Sequence, residues 1–380
     1  SAASDVYKRQ GLQFGNYYRL DLSNNDRKSI KPKHKLGDSP LRFNWQTPIL
    51  ISPHNQDIIY FGSNKLHRSF NKGDDWEEIS KDLTSGGKKG NVPYGTITSF
   101  DESNFQFGKL IVGSDDGIVS ISNDSGKTWK SVSDNLPPDL WVSRVIFSKH
   151  EKNTIYLSLN GYRYNDFKPY IYVSNDNGDS WENISSNLPL SPVNVIREDI
   201  NRKEILYVGT DNGLFISFSS GKKWHPFESS LNRVAVHDLV IQNEKNDLLV
   251  GTHGRSIYKT NLDLFNDFMI EKNGEKPLII FEINDLRHSN SWGKRSNYSD
   301  DVFKSSVKTI VYSDKSIIYD YTIMDNFNNI LNKGKLNLDK GFNNIEIMPM
   351  INYSIATKKL KKIGISSEKP EDGNIYLPKG

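Results

Sequence analysis

The 380-residue sequence contains no cysteine, which excludes disulfide bonds and thiolate metal sites and leaves the redox compartment open. No apolar run is long enough to cross a bilayer, so no membrane span is predicted. The formal net charge is only +3 and no basic run with interleaved aromatics occurs, so we expect no nucleic-acid partner. The eight histidines show no metal-ligand spacing, and we expect neither a metal nor a cofactor.

What the chain does contain is an eight-residue phrase that recurs four times, as SFNKGDDW, SNDSGKTW, SNDNGDSW and SFSSGKKW. Its equivalent positions are Ser69, Ser122, Ser174 and Ser217, then Asn71, Asp124, Asp176 and Ser219, then Gly73, Gly126, Gly178 and Gly221, and last Trp76, Trp129, Trp181 and Trp224. Successive tryptophans lie 53, 52 and 43 residues apart. A repeat of about 40–50 residues is the size of one four-stranded propeller blade.

The polar residues and glycine of the phrase suit a tight turn, and its tryptophan suits a buried anchor for the strand that follows. Its glycine supplies the positive φ that a hairpin needs, and an aspartate such as Asp124 or Asp176 accepts hydrogen bonds from nearby backbone N–H groups. The tryptophan opens the next strand, and burying its ring between sheets removes roughly 150–250 Å² from water. Because the group repeats regularly, we interpret these residues as architecture and not as a catalytic site.

The phrase resembles the Asp-box, or BNR repeat, of sialidases, some xyloglucanases and sortilin-type propellers. Further stretches resemble the bacterial sortilin-like branch, which is often labelled glycosyl hydrolase. They are FNWQTPILISPHNQDIIYFGSNKLHRSF at 43–70, GSDDG at 113–117, NGYRYNDFKPYIYVSNDNGDSW at 160–181, YVGTDNGLFIS at 207–217 and VGTHGRSIY at 250–258. The resemblance covers about residues 14–265 and implies an all-β fold with an Asp-box β-propeller. It also implies a bacterial protein that is secreted or held in the cell envelope.

We expect the propeller over residues 11–265, with five nearly whole blades, one partial blade and further blades from the rest of the native chain. In each blade an inner strand comes first, and the second strand ends in Gly-Ser or Gly-Thr in four of five copies. Residues 279–380 alternate apolar and polar side chains over short runs, which predicts an Ig-like β-sandwich after a linker at 266–278. The total number of blades and the oligomeric state stay open.

We expect the sequence to be a fragment that is truncated at both ends. Residues 1–10, SAASDVYKRQ, resemble translated adapter read-through at the ends of metagenomic fragments, the alternative being an ordinary floppy tail. In either case we leave them out of the fold, and no secretory signal opens the chain. We expect the C-terminal sandwich to be truncated as well.

Antiparallel connectivity divides the loops between two faces, and ligands of propellers are expected where the turns between second and third strands lie. One of these turns is expanded and contains exposed aromatics beside a cation, which suits stacking on sugar rings or gripping an extended peptide. An equally open alternative is a loop that shields the mouth of the channel. The candidate ligand-binding residues are Tyr162, Arg163, Tyr164, Phe167 and Tyr170 of this loop, with His253, Arg255 and Arg144.

Paired carboxylates for glycoside cleavage are the other chemistry that these turns could supply, from Asp115, Asp116 and Asp211. The competing interpretation is hairpin chemistry, because Asp-Gly and Asp-Asn-Gly are common turn sequences. The first hypothesis is therefore a secreted or cell-envelope propeller that binds glycan or peptide at its loop-rich face. The alternatives are a glycoside hydrolase of the Asp-box class and a surface scaffold that binds nothing.

Overall fold

A computed structural model describes residues 7–88, 90, 93–227 and 233–263 of the chain. Beyond these it describes residues 265, 268, 277–281, 283, 286, 289, 291–292, 295–296, 299–303, 306–324, 328, 330–351, 356–358 and 375–376. The chain forms two compact units, residues 1–226 with 232–261, and residues 227–231 with 262–380. The predicted linker at 266–278 lies mostly outside the described residues.

The first unit consists of six antiparallel sheets that follow one another along the chain. The first sheet contains β1 (Tyr7–Gly11), β2 (Tyr17–Asp21) and β3 (Arg27–Ser29), and the second contains β4 (Ile49–Ile51), β5 (Ile59–Gly62), β6 (Leu66–Ser69) and β7 (Glu77–Glu78). The third contains β8 (Ile97–Glu102), β9 (Leu110–Ser114), β10 (Val119–Ser122) and β11 (Lys130–Ser131), and the fourth contains β12 (Trp141–Phe147), β13 (Ile155–Asn160), β14 (Tyr170–Ser174) and β15 (Glu182–Asn183). The fifth contains β16 (Val193–Glu198), β17 (Leu206–Thr210), β18 (Gly213–Ser217) and β19 (Trp224–Pro226), and the sixth contains β20 (Val236–Gln242), β21 (Asp247–Thr252) and β22 (Ile257–Asn261).

Every sheet of this unit has its strands in chain order, so each is a simple meander. The first strands of neighbouring sheets pack together from β8 through β12 and β16 to β20, which is the arrangement of blades around a propeller channel. The all-β prediction is confirmed. Residues 7–10 belong to the fold, contrary to expectation: they form most of β1 and pair with β2 from Tyr7↔Asp21 to Gln10↔Tyr18.

The recurring phrase forms the turn between the third and fourth strands of four sheets. In the fourth sheet Ser174 Oγ accepts the Gly178 N–H at 2.7 Å, and Asp176 Oδ1 accepts the Ser180 N–H at 2.9 Å. Asn177 and Gly178 both have positive φ, 61° and 90°, as the turn requires. The serine-to-glycine bond recurs in all four copies at 2.7–2.9 Å, so the phrase satisfies its own backbone.

The tryptophan of each phrase joins its sheet to the one before it. The indole N–H donates to a backbone carbonyl just after the preceding sheet's last strand, and the four acceptors are Ile30, Ile79, Val132 and Ile184 at 2.7–3.0 Å. Trp224 is 2% exposed, whereas the rings of the other three are half-buried. The glycine of the phrase abuts the same residue, since a Cβ on Gly178 would lie 2.9 Å from Val132 Cβ. Each phrase is therefore both a turn and an inter-sheet joint.

Buried carboxylates make a second set of ties between sheets. Glu102 accepts hydrogen bonds from Ser52 Oγ at 2.5 Å and from the Tyr60 hydroxyl at 2.8 Å, both in the preceding sheet. Glu198 repeats the arrangement two sheets later with Ser148 and Tyr156. Burial raises the pKa of Glu198, and the hydrogen bonds from Ser148 and Tyr156 partly offset this rise. Hydrophobic clusters fill the remaining space between consecutive sheets.

In the described residues of the second unit, the strands form four small antiparallel sheets. Their strands are β23 (Leu278–Ile280), β24 (Arg295–Ser296), β25 (Ser299–Val302), β26 (Val307–Ser313), β27 (Ile317–Met324), β28 (Ile330–Leu338), β29 (Gly341–Ile347), β30 (Met350–Ile351) and β31 (Ile375–Tyr376). The strand orders are β23-β26-β29, β24-β25, β27-β28 and β30-β31. The predicted hairpin turn at 325–329 lies between the paired strands β27 and β28, but most of it falls outside the described residues.

Packing in this second unit centres on aromatic rings. Phe268 lies with its ring centroid 4.7 Å from that of Tyr312 and 5.0 Å from that of Phe342. Val311, Leu338 and Ile345 form a small aliphatic cluster. Within the part of the chain that the structure describes, no helix is long and apolar enough to cross a membrane.

Because Gly178 packs against the preceding sheet, one added methyl group at this position should lower the stability of the protein. Gly178→Ala places a Cβ against Val132 at φ 90°, whereas Gly37→Ala has a similar φ of 93° but open space around it. Both variants lose the freedom of glycine, so overpacking makes Gly178→Ala less stable than Gly37→Ala by about 1–3 kcal/mol. Denaturant unfolding followed by tryptophan fluorescence measures the difference, since six of the seven tryptophans lie in this unit. Equal stabilities would contradict the joint.

The aspartate of the phrase predicts an acid-sensitive contribution to stability. Hydrogen bonds from the Ser180 side chain and backbone lower the pKa of Asp176 to about 2, from an ordinary 3.8. The carboxylate therefore stabilises the fold fully above about pH 4, and this contribution is lost as the pH falls toward 2.

Asp176→Asn isolates the charge, because Asn71 holds the equivalent turn in the second sheet with its amide oxygen. We expect the variant to melt below the native protein at pH 7 and the difference to shrink toward zero near pH 2. A difference in melting temperature that stays constant across this range would refute the assignment.

Candidate functional site

Four consecutive inner strands contain the same irregularity at the same end. In β8, β12, β16 and β20 the register with the second strand shifts by one residue, which leaves Thr98, Ser143, Asn194 and His237 unpaired. A β-bulge of this kind re-aims a side chain and is common beside binding sites. All four of these side chains line one cavity, so the bulges bring polar groups from four sheets together.

Three of the four bulges lie opposite a glycine, and two of these glycines allow a close approach of the next sheet. Gly113, Gly209 and Gly251 each pair with the residue that follows a bulge. A Cβ on Gly113 would lie 2.2 Å from Val142 Cγ1, and one on Gly209 would lie 2.6 Å from Val236 Cγ1. These are the glycines of the Gly-Ser and Gly-Thr endings seen in the sequence. That repeated signal could have located the bulges, because glycine inside a strand often marks a bulge or a close approach.

The cavity has a volume of about 740 Å³ and lies at the face that carries the turns between second and third strands. A polar chain crosses its wall from the fourth sheet to the sixth. Asn160 donates to Asn194 at 2.9 Å, and Asn194 donates to Asp211 at 2.8 Å and to the Val236 carbonyl at 3.2 Å. This network fixes the amides and the carboxylate before any ligand arrives.

The expanded loop between β13 and β14 forms one side of the cavity and is internally braced. Its Tyr162–Tyr164 segment is a 3₁₀ helix, and Tyr164 N–H donates to the Gly161 carbonyl at 2.8 Å. The Tyr170 hydroxyl donates to Asp166 at 2.6 Å. Tyr162 and Phe167 are 61% and 46% exposed and meet edge to face at 6.1 Å. Together they form an exposed aromatic platform, of which Tyr162 lines the cavity.

The other residues of this loop divide between exposed and buried roles. The Tyr164 ring is about half exposed, like that of Phe167. Tyr170 packs against the hydrophobic cluster of the third and fourth sheets and supports the loop from below. Arg163 stacks its guanidinium 4.0 Å above the Trp141 ring and faces the cavity.

Of the three candidate carboxylates, two are buried under this surface. Asp115 is 1% exposed and accepts from the Thr96 backbone at 2.8 Å and from the Thr96 hydroxyl at 3.0 Å. Burial raises its pKa, partly offset by these bonds. Asp116 is also buried and accepts two bonds from Ser85 at 2.7 Å. Only Asp211 reaches the cavity wall.

The guanidinium groups of Arg144 and Arg197 lie where the cavity continues toward the channel. Asp238 accepts from Arg144 at 2.7 Å and lies 3.4 Å from Arg197, so one carboxylate faces two cations. A narrower cavity of about 450 Å³ shares Pro48, Arg144 and Asp238 with the first and runs between the inner strands. The candidate Arg144 thus lies at the junction of the two.

Two histidines stack at the opposite wall of the cavity. His237 and His253 lie with ring centroids 5.2 Å apart and an interplanar angle of 25°. Burial and the neighbouring His253 lower the pKa of His237, whereas Asp211 acts to raise it. Arg255 is exposed in the same turn as His253 but does not line the cavity. Among the described residues, no group of three or more histidine, aspartate or glutamate side chains could hold a metal ion.

A larger groove of about 980 Å³ lies elsewhere, between the outer strands of the second and third sheets. Its walls contain charged side chains that already pair with each other, such as Arg68 and Glu77 at 2.5 Å. If volume were the only criterion, this groove would be the candidate site. The smaller cavity is the better candidate because exposed aromatics, a stacked cation and a prearranged polar chain converge there.

The comparisons with known proteins give limited guidance. No family model matches the chain. A stretch of 99 residues is 31% identical to the vacuolar protein sorting/targeting protein PEP1 of Saccharomyces cerevisiae. The match covers 26% of this chain but only 5% of that curated relative.

Solved propeller-like structures resemble the chain more broadly but distantly. An ancestral GH74 enzyme is 14% identical with a TM-score of 0.48, over 79% of this chain and 39% of that chain. The GH74 xyloglucanase from Xanthomonas campestris is 12% identical with a TM-score of 0.46, over 89% and 47%. YCF48 from Cyanidioschyzon merolae is 12% identical with a TM-score of 0.47, over 65% and 77%. At these values the likeness does not bear on the chemistry of the site.

The histidine pair gives a titration that tests this geometry. Because Asp211 raises and His253 lowers the pKa of His237, Asp211→Asn should lower the pKa further and His253→Gln should raise it. Histidine ring resonances followed by NMR across pH 4 to 8 measure both changes. Shifts of the same sign in the two variants would contradict the arrangement of the three side chains.

Proposed function

We propose that this chain is a glycan-binding module built on an Asp-box, sortilin-like propeller and followed by an Ig-like domain that serves as spacer or docking element. The protein would act outside the cytoplasm, as a secreted or cell-envelope component. The single observation that carries the proposal is the exposed Tyr162–Phe167 platform at the edge of a cavity with a prearranged polar wall.

Sugars suit this combination because a pyranose ring has an apolar face and an equatorial ring of hydroxyls. The platform would take the apolar face by stacking. Amides and a carboxylate such as Asn160, Asn194 and Asp211 are planar groups that pair with neighbouring hydroxyls. Since these groups are already fixed by bonds to each other, little side-chain entropy is lost when a sugar binds.

A peptide ligand is the alternative class, and the bulges argue against it. An extended peptide gains much of its affinity by adding a strand to a regular sheet edge. The bulged residues Thr98, Ser143, Asn194 and His237 interrupt the regular ladder on all four strands that border the cavity. The cavity therefore favours a ligand recognised through side chains.

Cleavage of the glycan is less well supported than binding. A hydrolase needs two carboxyl groups in contact with the scissile bond. Asp115 and Asp116 are buried and already accept hydrogen bonds from neighbouring residues. The two carboxylates that line the cavity are also engaged, since Asp211 accepts from Asn194 and Asp238 pairs with two arginines. A binding module without turnover is the simpler assignment.

Removal of the platform tests this proposal. We expect Tyr162→Ala combined with Phe167→Ala to weaken glycan binding at least about tenfold, which corresponds to about 1.4 kcal/mol of lost stacking. Binding to a glycan array followed by isothermal titration measures the change, and unchanged melting shows that the fold survives.

Phe105→Ala is the matched control, because this phenylalanine is 47% exposed but lies in the loop between β8 and β9 at the opposite face. It should bind as the native protein does. Peptide binding without glycan binding, or sugar release from the bound polymer, would replace the proposal with one of its two alternatives.

A further inference from the structure

Arg163 is a cation that donates no hydrogen bond to any residue in the described part of the chain. Its guanidinium lies flat over Trp141 at 4.0 Å, and Asp115 Oδ2 lies 4.0 Å from Nη1, at the limit of an ion pair. Asp115 is turned toward Thr96, which donates two hydrogen bonds to it. Among the described residues no group accepts a hydrogen bond from Arg163, although the side chain is 41% exposed and lines the cavity.

The two carboxylates that line the cavity already accept hydrogen bonds. Asn194 donates to Asp211, and Asp238 is shared by Arg144 and Arg197. Arg144 is therefore paired with a carboxylate, whereas Arg163 has no hydrogen-bond acceptor among the described residues. A ligand that reaches the exposed Arg163 guanidinium would supply that acceptor.

The stacking of Arg163 also fixes its orientation. A guanidinium held flat on an indole keeps its fork of N–H groups in one plane, and that fork matches the two oxygens of a carboxylate. Tyr162, in the same 3₁₀ turn, lines the same cavity as Arg163. A glycan in this cavity can therefore meet both the aromatic platform and the guanidinium.

We infer that the ligand is an acidic glycan, a uronate-containing polysaccharide whose carboxylate is bound by Arg163. The inference rests on the proposed glycan-binding function and adds the chemical class of the sugar. In this arrangement Trp141 orients the guanidinium, and Asp115 lies 4.0 Å from its inner side.

The test compares each acidic glycan with its own neutral form. Oligomers of galacturonate, mannuronate and glucuronate are titrated into the full chain beside their carboxyl-reduced counterparts, at about 0.15 M salt. We expect at least one acidic oligomer to bind about tenfold or more tightly than its reduced form. Arg163→Gln should abolish this preference, so that the variant binds the acidic and reduced forms with affinities within about threefold of each other.

Two further variants separate specific recognition from overall charge. Lys130→Gln removes one positive charge from an exposed side chain of β11 and should leave the preference intact. Arg163→Lys keeps the charge but loses the planar fork, so it should retain only part of the preference. Melting curves of all variants establish that each is folded.

Several outcomes would overturn the inference. Equal affinity for acidic and reduced forms, a preference that survives Arg163→Gln, or tighter binding of sulfated glycans would each exclude the carboxylate assignment while leaving glycan binding in place. If none of the acidic, neutral or sulfated glycans binds, the proposed function fails and this inference fails with it. The two failures are therefore distinguishable in one experiment.

Discussion

The hydrogen bond from each phrase tryptophan to the preceding sheet is the constraint on which the first unit depends. It joins one indole N–H to one carbonyl, as from Trp181 to Val132 at 2.8 Å, and the glycine of the same turn packs against that residue. A directional bond and a close contact at one point fix the distance and the angle between neighbouring sheets. Repeated four times, they give each of the first five sheets the same relation to its neighbour.

Because the sheets are held in this way, their inner strands lie close together. The β-bulges of these strands can then act in concert. A single bulge would only re-aim one side chain. Four bulges at the same level, each opposite a glycine or Ser158, bring Thr98, Ser143, Asn194 and His237 to one wall. The repeated bulges therefore form one continuous polar surface.

The two sides of the cavity differ in whether their polar groups have hydrogen-bond partners. On the histidine side, Asn160, Asn194 and Asp211 satisfy each other in a chain of hydrogen bonds. On the loop side, Arg163 is oriented by Trp141 but has no acceptor among the described residues. A surface that is rigid and partly unsatisfied is prepared for a ligand that supplies what is missing.

By itself the sequence determined the all-β class, the position of each repeated turn and the expanded loop, because these follow from local spacing and turn chemistry. It also displayed the glycines of the bulges, such as Gly113, without revealing their purpose. Only the tertiary structure decided that Asp115 is buried beneath Arg163 while Asp211 reaches the cavity. Burial and contact between sheets depend on residues about fifty positions apart, and no local pattern in one sequence specifies which of them meet.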